Sequence, residues 1–265
     1  MNPIHLTPGD LAAAAVLIVL DGILSAVLRL GLSRQLAIAS VRMVSQLLLI
    51  GLVLRQVFAL ASPPVTLLVI AVMVTIAGRE VAARPKQRLL RFGNYATGGA
   101  AVAFATAVTS ILALTTALRP HPWYDAHYAI PLAGIILGNV LNSASLALDS
   151  LLGGLLRERP AIEAQLALGA TVNQAMARLI RESIRRGLLP IVNAMSASGV
   201  VTLPGIMTGQ ILAGLDPMEA VRYQILLMFL LSGGAGLAAA AVFLAARRLT
   251  DDRQRLRLDR LVNAA

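Results

Sequence analysis

LAAAAVLIVLDGILSAVLRL, residues Leu11–Leu30, carries one interior charge, Asp21, and one charge near its end, Arg29. As a helix, a run of this length is about 30 Å long, the thickness of a bilayer's hydrocarbon core. Similar apolar runs follow at Leu36–Val57, Pro64–Ala83, Tyr95–Leu118, Ala129–Leu156, Leu188–Leu203 and Arg222–Ala246. Hydrophobic residues make up 57% of the 265 and charged ones 14%, with a mean hydropathy of +0.77. That balance excludes a water-soluble domain and predicts an all-α polytopic membrane protein of about seven transmembrane helices, one domain over residues 1–265. The Met1–His5 stretch has no basic region of the signal-peptide kind, so the first run is expected to persist as a helix.

A net charge of +10 would suit a nucleic-acid binder, but the basic residues stand in short clusters between apolar runs, with no aromatics interleaved, and no nucleic-acid partner is expected. They report topology instead. Nineteen of the 23 Lys and Arg fall on one side: Arg29 and Arg34, Arg79 to Arg91, Arg157 to Arg186, and the tail from Arg247 to Arg260. Only Arg55, Arg119 and Arg222 fall on the other, and Arg42 lies within a span. The excess of positive charge in cytoplasmic segments places the N-terminus outside and the C-terminus in the cytoplasm, in a multi-pass protein of the bacterial inner membrane. The absence of cysteine removes disulfides, thiolate metal sites and a Cys nucleophile.

The largest cytoplasmic segment, residues 157–187, is the most informative. Thr171 with Gln174 three residues on makes a capping box, and Val172, Ala175, Met176, Leu179, Ile180 and Ile184 form one apolar stripe. Such an amphipathic helix can lie on the membrane surface or dock on a partner. Before it stands Glu163-Ala164-Gln165-Leu166-Ala167-Leu168-Gly169-Ala170, which resembles the coupling loop of ABC permeases, with a Gly six residues after the Glu. A later stretch, Pro190-Ile-Val-Asn-Ala-Met-Ser-Ala-Ser-Gly199 through Pro204-Gly205-Ile206-Met207-Thr208-Gly209-Gln210, and Gly138-Asn139-Val-Leu-Asn142-Ser-Ala-Ser145, resemble the FetB-type family of ABC permeases. Bacterial members of that family are described as candidate iron exporters, and its plant relatives are linked to aluminium tolerance.

The resemblance implies a permease domain without bound cofactor, working as a homodimer in the lipid bilayer with a separate cytoplasmic ABC ATPase that holds ATP and Mg. It assigns ATPase coupling to Glu163, Ala164, Leu168, Gly169, Ala170 and Met176. The chain itself cannot be a P-loop ATPase, because its one lysine, Lys86, follows Pro85 rather than Gly. No catalytic residue is expected. An ion-driven secondary transporter of a small polar solute is the alternative, and would be expected to show inverted repeats and midplane acids. A membrane-embedded enzyme finds no nucleophile–base pairing within the spans.

Polar groups inside spans each need an account. Asn139, Asn142 and Ser145, with Asp149 towards the cytoplasmic end, and Asn193 and Ser196 on the next span, either glue helices or line a translocation path. Met207 and Gln210 follow a helix break expected at Pro204-Gly205 and extend the same candidate path. Asp21 and Arg42 lie at depths differing by roughly 5 Å and are expected to pair. Gly98-Gly99 and Gly233, Gly234 and Gly236 suit close helix packing or a dimer face. The outer His121–His127 segment could bind a metal through two His and Asp125, while Trp123 and Tyr124 fit an interfacial aromatic belt.

Overall fold

The computed structural model describes residues 7–60, 62–89, 93–122, 124–250 and 256–263, so the Met1–His5 stretch, Arg91, Trp123, Arg253 and Arg255 lie outside the described residues. The protein is an all-α polytopic membrane protein. Its chain divides into two units, one of Met1–Ala61 with Leu212–Gly214 and the other of Ser62–Ile211 with Leu215–Ala265.

The first unit is a hairpin of α1 (Pro8–Val27) and α2 (Ser33–Leu60). A capping box starts α1: Thr7 Oγ1 accepts from the Asp10 amide at 3.3 Å, and the Asp10 carboxylate accepts from the Thr7 amide at 2.8 Å. Ser25 fixes the turn that follows. Buried within the hairpin, it accepts the Leu32 amide on its hydroxyl at 3.0 Å and the Leu30 amide on its carbonyl at 2.9 Å. The rest of both helices turns large apolar side chains outward, among them Leu17, Leu24, Leu47, Leu48 and Leu52, each more than half exposed.

The second unit is built around α5 (Ala126–Arg157), packed by α3 (Pro63–Ala83), α4 (Gly93–Leu112), α7 (Val172–Ala197), α9 (Pro217–Ala238) and α10 (Ala240–Arg248). Val140, Ala144, Ala147, Leu148, Leu151 and Leu155 make a stripe on α5 at helical spacing, and all are fully buried. Contacts at glycine set the helix spacing. A Cβ on Gly98 would stand 2.6 Å from Val81 Cγ1, one on Gly187 2.8 Å from the Ser143 carbonyl, and one on Gly234 3.1 Å from Val140. Gly233 and Gly236, in contrast, face open space within this chain. A π-helical turn, Ala113–Leu118, continues α4.

Among the described residues, six helices are long and apolar enough to cross a membrane. The expected sixth run, Leu188–Leu203, is not a separate helix: it and the amphipathic helix before it form one rod, α7, ending at Ala197. Gly187 does not interrupt the rod, because there it lets α5 approach, and Pro190 sits inside it. The break comes at Ser198 and Gly199, whose φ of 86° ends the helix, six residues before Gly205 opens the short α8 (Gly205–Leu212). A two-stranded antiparallel ladder, β1 (Gln87–Leu89) with β2 (Leu261–Asn263), joins the α3–α4 connection to the C-terminal segment.

Candidate coupling tip and translocation face

With 32 residues, α5 is about 48 Å long, well beyond the ~30 Å hydrocarbon core. Its C-terminal turns and the N-terminal turns of α7 lie side by side in antiparallel register. Gly187 meets Ser143 and Ala147, and Gly154 meets Leu179. The segment 157–187 is therefore not a loose loop. It is the capped end of two continuous helices, with α6 (Arg159–Ala167) laid between them.

The tip has a built geometry. Glu163 pairs with Arg159 at 2.7 Å and Glu158 with Arg178 at 2.9 Å, so ion pairs tie α6 to itself and to the base of α7. At the end of α6, the Ala170 amide bonds the Gln165 carbonyl and the Gly169 amide the Leu166 carbonyl, both at 3.0 Å. With Gly169 at φ 91°, this is a Schellman turn. The expected capping box follows at once: Thr171 N–H to Gln174 Oε1 at 2.8 Å and Gln174 N–H to Thr171 Oγ1 at 3.3 Å. Glu163 and Ala164 are exposed, Ala170 is half-buried, and Leu168 is 88% exposed at the apex. Met176 differs from expectation. It is 1% exposed, packed under α7 with Val172, Ala175 and Leu179, because the apolar stripe is covered by the chain's own bundle.

The polar residues of α5 separate into two faces. Asn139 donates through Nδ2 to the Leu231 carbonyl at 2.7 Å, binding α5 to α9. Ser145 is buried and donates to the Leu141 carbonyl of its own helix at 2.7 Å, so it leaves the exposed face that was expected to hold it. Gly138, Asn142, Leu146, Asp149 and Gly153 remain as an exposed stripe along the otherwise most buried helix. The α5–α7 register brings Asn193 near the level of Asn139 and Ser196 about one turn further out. Both are exposed, and the Ser196 hydroxyl donates to Val192 O at 2.9 Å. On α8, Met207 and Gln210 are half-buried. Gln210 buries its side-chain oxygen without a protein partner, as does Gln224 on α9, which is 7% exposed.

Asp149 has a structural duty besides its exposure: Oδ1 accepts the Lys86 amide at 3.1 Å and holds the α3–α4 connection against α5. Asn94 does similar work and was not legible as a site. Buried at the start of α4, it accepts the Leu89 amide at 3.0 Å and donates to the Ala82 carbonyl at 3.4 Å.

At the opposite end, Asp125 caps α5, accepting the His127 amide and facing His127 Nδ1, both at 3.0 Å. Those two bonds, the backbone one foremost, hold its carboxyl below the ordinary carboxylate range. Among the described residues, no three His, Asp or Glu gather as a metal site. On the hairpin, Asp21 and Arg42 are both exposed, and Arg42 lines a shallow groove on α2 with Gln35, Ile38 and Gln46.

The family model described as "Uncharacterised protein family (UPF0014)" matches residues 8–250. A UPF0014 membrane protein of Synechocystis is 43% identical over 76% of this chain and 77% of its own. An Escherichia coli protein named "Probable iron export permease protein FetB" is 33% identical over 97% of both chains. The rice UPF0014 membrane protein STAR2 is 34% identical over 84% of this chain and 76% of its own. No solved structure is a significant match.

Proposed function

We propose, on the premise that this chain belongs to the UPF0014 family, that it is the membrane permease subunit of an ABC-type metal exporter. Iron is the proposed cargo, from the name of the Escherichia coli relative. In this reading the protein sits in the bacterial inner membrane with its basic end in the cytoplasm, and α7, running beside α5, is the seventh crossing. Two copies meet along the exposed α5 stripe. Asn142, Asn193 and Ser196, with Gln210 and Met207 further out, present oxygen and thioether groups to a cation that has shed water. Asp149 stands at the inner mouth. A separate cytoplasmic ATPase supplies the energy.

One observation supports this reading above the rest: the tip formed by α6 and Gly169 is mechanically continuous with the polar face. A subunit that gripped Leu168 and Ala164 would hold the ends of α5 and α7, and a tilt of a few degrees there would travel along two rods to Asn142 and Asn193. An ordinary flexible loop would absorb the motion.

The test is substitution at the apex. Leu168→Glu removes an exposed side chain and no packing, and Gly169→Glu adds a charge to the left-handed turn. Both should insert and dimerise as wild type, while losing ATPase co-purification and metal-stimulated ATP hydrolysis by at least tenfold, about 1.4 kcal/mol of docking energy. Full transport with retained co-purification in both variants would remove the ABC reading.

A further inference from the structure

A groove of about 420 Å³ runs between α7 and α10 at the basic end of the bundle. Its lining is mostly apolar, Met176, Ile180, Ile184, Phe243 and Ala246 among it, with Asn173 and Thr250 the uncharged polar members. Arg181 and Arg247 stand on its rim, exposed, and among the described residues no carboxylate lines it. The acids of the described ion pairs on this end are engaged elsewhere, Glu158 by Arg178, Glu163 by Arg159 and Glu182 by Arg186. The groove is thus amphipathic in a definite way, with an apolar trough below and two guanidinium groups above.

Its position matters as much as its lining. The apolar span formed by α9 and α10 ends at Arg248, so Arg247 marks the level at which hydrocarbon gives way to headgroups. Phe243, one turn before Arg247, is 52% exposed on the hydrocarbon side of that boundary. An occupant with an anionic head at the arginines and a hydrocarbon tail past Phe243 matches both the charge and the polarity gradient.

We propose that this groove is a binding site for an anionic glycerophospholipid. Its phosphate is held by Arg181 and Arg247, and one acyl chain lies along Ile180, Ile184 and Phe243. Planar guanidinium forks suit a phosphate oxyanion, and a zwitterionic headgroup brings its own cation into the same space. A lipid wedged there braces α7 against α10 beside the tip. The site does not depend on the transport reading, because it rests on the groove alone.

Native mass spectrometry of the full-length, delipidated protein titrated with dioleoyl phosphatidylglycerol or dioleoyl phosphatidylcholine tests it. One retained phosphatidylglycerol per chain is expected, with phosphatidylcholine retained far less. Arg181→Gln with Arg247→Gln should weaken phosphatidylglycerol binding roughly thirtyfold, the product of two headgroup contacts. Ala177→Phe, which fills the groove and leaves both charges, should abolish the adduct. Arg185→Gln, which does not line the groove, should change nothing. Equal retention of the two lipids, or an adduct indifferent to the double substitution and to Ala177→Phe, overturns the proposal. So does a double variant that keeps the lipid and loses a cytoplasmic protein partner, since the groove would then be a peptide site.

Discussion

The apolar window of α2 has a mean hydropathy of 2.0 and none of it is buried, whereas that of α5 reaches only 1.5 and is 56% buried. Of these two helices the more hydrophobic is the less packed, while the α9–α10 span combines a hydropathy of 2.2 with 44% burial, so hydropathy does not set packing. The reason lies in the solvent. In lipid a leucine gains little by moving from acyl chains onto another helix, so association is driven by close backbone approach and by hydrogen bonds. The α1–α2 hairpin has leucine-rich surfaces, and its Gly22, Gly31 and Gly51 meet nothing within 4 Å. The bundle has Gly98 on Val81, Gly154 on Leu179, Gly187 on Ser143 and Gly234 on Val140, each where a side chain would hold the helices apart. Hydropathy reports fit to the bilayer; small residues in register report fit to a neighbour.

The sharpest way to break this contrast is to add bulk to both units. Gly187→Leu drives a side chain into the Ser143 carbonyl and Ala147, and should destabilise the bundle by roughly 3 kcal/mol or more, enough to lose most folded protein. Gly51→Leu on α2, where nothing lies within 4 Å, should leave thermal stability in detergent within about 0.5 kcal/mol of wild type. Equal losses would mean that the hairpin is packed as tightly as the bundle.

Charge offers the next test. If Asp21 and Arg42 neutralise each other in the membrane, Asp21→Asn alone should lose protein level by an uncompensated charge worth about 3 kcal/mol. Asp21→Asn with Arg42→Gln should recover part of it. A double variant no better than the worse single one counts against pairing.

A smaller effect is expected where polar bonds assist packing. Asn139→Leu removes the bond to the Leu231 carbonyl and should lower bundle stability by about 1 kcal/mol, read as a shifted unfolding midpoint. The smallest concerns Asp125. Its depressed carboxyl contributes stability that is complete above the ordinary value of 3.8 and is lost only as pH falls through its lower folded value. Asp125→Asn, which still caps but carries no charge, should flatten that acid limb and lower stability slightly at neutral pH, where the ionised carboxyl's contribution is complete.

Much of this was readable in advance where a signal is local. The apolar runs gave five helices to within a few residues, and Thr171 with Gln174 and Gly169 gave the tip its caps, because caps and turns are decided by neighbours three to six residues apart. What was not readable depended on partners far along the chain. The fusion of two expected segments into α7 turns on Gly187, which patterning takes as a boundary and which is a contact with α5. Met176 and Ser145 carried the right chemistry and face the core, since one helical step separates a covered face from a free one. Asn94 gave no signal, because a lone amide in an apolar helix looks the same whether it organises a loop or merely tolerates its place.

The ladder between β1 and β2 has a consequence for biogenesis. The two strands are separated by roughly 170 residues, so Leu89 and its neighbours leave the ribosome long before Leu261 does. During that interval the α3–α4 connection has the Asn94 side chain and, once α5 has followed, Asp149, but no strand beside it. Closure of the basic end must wait until the spans between have been released from the insertion machinery. Release of the C-terminal segment, rather than passage of any one helix into the bilayer, is then the event that sets the basic end in its final form.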